Sequence, residues 1–106
     1  MNVAAAVVNY NGGSHLLDCV ASLRVEGVDR IVVADNGSTD DSLAELTRAD
    51  PEAGAAIVRC GRNLGYGGGA NRAAAALRPP PDALLVCNPA ECWVVQSRWT
   101  SLIALN

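Results

Sequence analysis

Four short, largely apolar runs, at residues 3–8, 30–34, 55–60 and 83–87, alternate with segments of helical length, and each run stops at a polar or glycine-rich cluster. Apolar runs this short, without an alternating polar face, are the pattern of strands covered on both sides. Strand and helix taken in turn through three crossovers call for a parallel sheet with right-handed connections and helices on both faces. The expected fold class is therefore α/β, a Rossmann-like parallel sheet. In such a sheet ligands sit beyond the carboxyl ends of the strands, and the clusters at 9–11, 35–40, 62–71 and 88 all fall there.

The segments between the runs carry helix signals. Leu16, Leu17, Val20 and Leu23 lie at helical spacing after Ser14, which is placed to cap a helix that Gly27 ends. Ser38 and Asp41 match a Ser-x-x-acid capping box opening a second helix through about Arg48, with Leu43 and Leu46 facing inward and Asp50-Pro51 as its stop. A glycine-rich loop from Gly61 to Gly68 leads into an alanine-rich helix from about Gly69 to Leu77, which Pro79, Pro80 and Pro81 terminate.

Composition narrows the function classes. With 106 residues, half of them apolar, the chain has the makings of one domain with a real core. Eleven acids against eight arginines and no lysine give a net charge of -3, so no basic field draws a nucleic acid. Cys19, Cys60, Cys87 and Cys92 contain no Cys-x-x-Cys pair, which argues against a zinc knuckle or redox motif and for reduced, mostly buried thiols. No apolar stretch approaches the roughly 18–20 residues of a membrane helix. A cytoplasmic location is expected.

Two stretches carry the candidate chemistry. In Asp35-Asn36-Gly37-Ser38-Thr39-Asp40 the helix cap explains Ser38, and the acids at 40 and 41 read as favourable charges at a helix start, but Asp35 is left over as a carboxylate at a strand end that a base or ribose can use. In the segment 61–72, glycines let the backbone approach a ligand, amides at a helix start favour phosphate, and Arg62 and Arg72 offer charge-assisted bonds to a diphosphate. The bland alternatives are a capped turn and a surface loop. Gly65, Gly67 and Ala70 also fit a dinucleotide fingerprint loosely. His15, the lone histidine, reads as a solvated residue at the first turn of a helix.

Val7-Val8-Asn9-Tyr10-Asn11, Val33-Ala34-Asp35-Asn36-Gly37-Ser38-Thr39-Asp40, the glycine-rich stretch from Asn63 to Arg72, and Leu85-Val86-Cys87-Asn88-Pro89 together resemble, in order and separation, the N-terminal motifs of family 2 glycosyltransferases, especially their rhamnosyltransferase-like branch. The resemblance spans residues 3–90. It implies a GT-A fold, incomplete here, in which a nucleotide-diphosphate sugar donates its sugar with inversion and a divalent Mg or Mn ion assists. It implies nucleotide-sugar contacts from Asn9, Tyr10, Asn11, Asp35, Asn36, Asn63, Gly65, Gly67, Asn71, Arg72 and Asn88. A lipid-linked or membrane-surface acceptor in cell-wall polysaccharide assembly belongs to the same set of expectations.

The sequence also departs from that pattern. The family's Asn-Pro-Asp ends in a metal-binding carboxylate, and here position 90 is Ala90, with Glu91 the only nearby substitute. Residues 91–106 form a divergent tail in this reading, and the catalytic base is expected downstream of the chain end. The expectation is a truncated or frame-shifted enzyme, weakly active or inactive alone and prone to self-association. Two other readings stand beside it: a nucleotide-binding module without transfer, and a dinucleotide-binding fragment of an oxidoreductase with Glu91 on the ribose.

Overall fold

A computed structural model describes residues 2–28, 30–49, 55–91 and 102–104. The strands are β1 (Val3–Asn9), β2 (Arg30–Asp35), β3 (Ala56–Arg59), β4 (Ala83–Cys87) and β5 (Leu102–Ala104); the helices are α1 (Ser14–Val25), α2 (Ser42–Ala49) and α3 (Gly65–Ala76). A 3-10 turn over Pro89–Glu91 follows β4. The Asp50-Pro51 stop signal, Cys92 and most of the tail lie outside the described residues.

The sheet runs in the order β3-β2-β1-β4-β5. Its first four strands are parallel, as the alternation of elements requires, and β5 pairs antiparallel with β4. The sequence of the tail fits strand or helix equally; part of it supplies this edge strand.

Successive side chains of a strand point to opposite faces, and the core divides accordingly. Ala5, Val7, Ile31, Val33, Leu85 and Cys87 face α1 and α2, where Leu16, Val20, Leu23, Leu43 and Leu46 complete one layer. Ala4, Ala6, Val8, Val32, Ala34, Leu84 and Val86 face the other way and meet Ala73 and Leu77 of α3. Each fully buried leucine or valine contributes roughly 1.5–3 kcal/mol through removal from water. The second layer is built largely of alanines, so α3 lies close against the sheet. A Cβ at Gly69 would stand 2.7 Å from Val8 Cγ1, which is why a residue without one occupies that position.

Several boundaries differ from the sequence expectations, each for a local reason. β1 and β2 extend one residue further, to Asn9 and Asp35, because these polar ends are paired with each other. Gly13 rather than Ser14 stands at the cap of α1, and no side chain caps it. Ser38 does not open α2: its hydroxyl is turned to Asp35, and the helix begins at Ser42, whose N–H and hydroxyl both donate to Asp40 Oδ1. α3 begins at Gly65, four residues earlier than propensity suggests, since packing on the sheet outweighs the roughly 1 kcal/mol that each glycine costs a helix. Gly27, at φ 87°, follows the last turn of α1 as expected. Cys19 and Cys87 are buried and Cys60 is half-buried, and no disulfide joins these three. No described helix is long and apolar enough to cross a membrane.

Candidate functional site

The carboxyl ends of β1, β2 and β4 and the start of α3 surround an open crevice of about 420 Å³. After β1 come Tyr10, Asn11 and Gly12, with His15 from the first turn of α1. After β2 comes Asn36; Asn63, Gly65 and Tyr66 approach from the α3 side; Asn88, Pro89 and Ala90 close the far end, and Val8 lies on the floor.

A buried polar network holds this rim. Asn9 Nδ2 donates to Asp35 Oδ1 at 3.0 Å, to Ser42 Oγ at 3.0 Å and to Ser38 Oγ at 3.2 Å. Ser38 returns two bonds to the same carboxylate, from its hydroxyl at 2.7 Å and its N–H at 3.0 Å. The backbone follows: Asn36 N donates to Asn9 O, Cys60 N to Asp35 O and Asn11 N to Ser38 Oγ. Asn11, at φ 51°, turns its side-chain oxygen to accept from Thr39 N and Asp40 N. The loops after β1 and β2 are thus one cross-braced unit.

Asp40 completes the brace by accepting from Gly13 N at 2.9 Å. The Ser42 hydroxyl, and after it the Ser42 and Gly13 backbone N–H groups, hold its carboxyl below the ordinary 3.8.

Asn36 is the residue this scaffold presents. Its side chain is 2% exposed, and Nδ2 donates to Gly65 O at 3.0 Å. Its Oδ1 meets no hydrogen-bond donor among the described residues, although it is buried at the wall of the crevice. Such an acceptor costs about 1–3 kcal/mol unless something donates to it.

Of the residues that the sequence points to, Tyr10, Asn11, Asn36, Asn63, Gly65 and Asn88 line the crevice together. Asn9 and Asp35, 0% and 4% exposed, lie behind its wall in the network. Gly67, Asn71 and Arg72 are exposed on α3 and outside the lining, as is Arg62 in the preceding loop. His15, Tyr66, Gly12, Val8 and Pro89 join the lining without having been singled out as ligands. Tyr66 had a visible signal, an aromatic inside a glycine-rich loop. The position of His15 depends on α1 packing against the turn after β4, which is a tertiary contact.

At the far end of the crevice the described side chains offer a divalent ion few oxygen donors, and the side chain of Glu91, the substitute ligand considered above, lies outside the described residues. Ala90 offers a methyl group, and Asn88 Oδ1 is engaged in accepting from Ala90 N at 3.1 Å. Among the described residues no group of three His, Cys, Asp or Glu side chains converges.

The model of a family described as glycosyl transferase family 2 matches residues 5–103, a span that continues past residue 90. Among solved structures, Staphylococcus aureus TarS (residues 1–349) aligns with a TM-score of 0.70 at 20% identity, over 84% of this chain and 27% of that one. Glucosyl-3-phosphoglycerate synthase from Mycobacterium tuberculosis, in complex with Mn2+, UDP and glucosyl-3-phosphoglycerate, aligns at 0.65 and 21% identity, over 83% of this chain and 33% of that one. The same enzyme with Mn2+, UDP and phosphoglyceric acid gives 0.66 at 21%, over 83% and 32%. At these identities the likeness shows the fold, and this chain spans about a third or less of the length of those structures. No curated protein matches it in sequence.

Proposed function

Because the chain belongs to glycosyl transferase family 2 and has the GT-A type of α/β sheet, we propose that its crevice binds the nucleotide of a nucleotide-diphosphate sugar, the donor for inverting sugar transfer. The observation that carries this reading is the buried, unpaired Asn36 Oδ1. A nucleobase presents a ring or exocyclic N–H that such an acceptor can take, in a slot flanked by Tyr10 and Tyr66, which are 54% and 43% exposed. The base lies at the Asn36 side and the diphosphate runs toward Asn88. Transfer to an acceptor also needs a base for the acceptor hydroxyl. Among the described residues the crevice wall holds no carboxylate to act as that base, and donor binding is the part of the reaction these residues support. A cell-envelope acceptor presented at the inner membrane face fits the family resemblance.

Titration calorimetry with UDP, dTDP, a matching nucleotide sugar and NAD tests the reading. A nucleoside diphosphate should bind, and Asn36→Ala should weaken it about tenfold, the worth of one hydrogen bond to a buried acceptor. Tight binding of NAD with no response to nucleotide sugars overturns it.

A further inference from the structure

We infer that the start of α3 fixes the polarity of the Asn36 amide, so that among pyrimidines the crevice takes one with a ring N–H on its recognised edge, uracil or thymine, in preference to cytosine, whose ring nitrogen there is bare. The inference rests on the nucleotide reading above and adds to it the class of base. Asn63 is the positioning residue: it acts on the base through Gly65 and Asn36.

An amide carries both donors and an acceptor, and which of them a ligand meets depends on what holds the others. The two hydrogens of Asn36 Nδ2 are both spent beside the start of α3, one on Gly65 O at 3.0 Å and one on Asn63 Oδ1 at 3.4 Å. Asn63 is held in turn, because the same oxygen accepts from Gly65 N at 2.8 Å. Turning the Asn36 amide over would set its oxygen against those two acceptors. Gly69 packs closely beneath it: an added Cβ there would stand 3.2 Å from both Nδ2 and Oδ1. What remains for a ligand is Oδ1, buried and without a donor among the described residues. A ring N–H satisfies that oxygen. A ring nitrogen with a lone pair sets acceptor against acceptor, and the amino group of cytosine, at the corner of the ring, reaches Oδ1 only if the base shifts within the slot between Tyr10 and Tyr66.

The test is titration calorimetry of the intact chain with UDP, CDP and N3-methyl-UDP, which share one diphosphate and differ at this edge. Wild type should bind UDP about tenfold or more tightly than either of the others. Asn63→Ala should bring that ratio toward one, whereas Asn63→Asp, which keeps an acceptor for Gly65 N and Asn36 Nδ2, should preserve it. The ratio compares ligands on one protein, so a general loss of affinity or stability does not move it. CDP or N3-methyl-UDP binding as tightly as UDP, or a ratio that survives Asn63→Ala, overturns the inference. Failure of wild type to bind both UDP and CDP overturns the nucleotide reading itself, which separates the two failures.

Discussion

Asn9 and Asp35, the last residues of β1 and β2, are register partners across the two parallel strands, and the Asn9 side chain donates to the Asp35 carboxylate at 3.0 Å. The pair ties together the two loops that form the crevice rim. Asn9→Ala removes the Nδ2 bonds to Asp35, Ser38 and Ser42 at once and leaves a buried carboxylate short of a donor. Urea unfolding should show a loss of about 1–3 kcal/mol, at the upper end because the acceptor is charged. A variant within about 0.5 kcal/mol of wild type, the range of ordinary surface changes, would mean that the pair does not brace the rim.

Two glycines of α3 should respond in opposite directions to the same substitution. An added Cβ at Gly67 meets nothing within 4 Å, so Gly67→Ala should raise stability by up to about 1 kcal/mol through helix propensity alone. At Gly69 the same methyl presses on Val8 Cγ1 at 2.7 Å and on both polar atoms of the Asn36 amide at 3.2 Å. Gly69→Ala should lower the melting temperature and weaken nucleotide binding, because the displaced amide is the proposed base contact. Thermal melts of both variants check this; equal shifts of one sign would show that α3 does not sit as close to the sheet as the structure places it.

Asp40 gives the acid dependence a sign. Its folded carboxyl lies below the ordinary 3.8, so its stabilising contribution is present above that value and is lost as the pH falls through the folded value. The gap in melting temperature between wild type and Asp40→Asn should be largest at neutral pH and should close in acid below the ordinary carboxyl range. A gap that does not change with pH would assign the contribution to geometry and not to charge.

Ala90→Asp adds an oxygen donor at the far end of the crevice. Wild-type affinity for UDP should be indifferent to Mn2+, whereas the variant should gain a metal-dependent increase, measured by calorimetry with and without chelator. Equal behaviour of the two proteins would show that position 90 does not face a metal site.

The order of elements, the parallel sheet and the gathering of polar clusters at the strand ends were legible because apolar runs and glycine or proline stops report local chain behaviour directly. The roles inside the clusters were less so. Ser38 and Asp41 spell a capping box, yet the Ser38 hydroxyl donates to Asp35 three residues earlier and accepts from Asn9 across the sheet, and the second of these is a tertiary bond that local pattern does not show. Glycines at 65, 67 and 68 read as loop by propensity, but the alanine-lined sheet face draws them into α3. The rim also divides by alternation along the chain: Val8 and Tyr10 face the crevice while Asn9 between them turns away, and motif wording alone does not give that phase.

β1 is first in the chain and central in the sheet, flanked by β2 and by β4, and Asn2 at its foot is bonded to Asp82 across 80 residues of sequence. A ribosome delivering this polypeptide therefore releases the middle of the sheet first and the strand that must lie on its other side long afterwards. The pocket spans that junction, so it comes into being only when the late strand docks. Capture of a nucleotide is then a report on complete assembly, one that no early folding product can imitate.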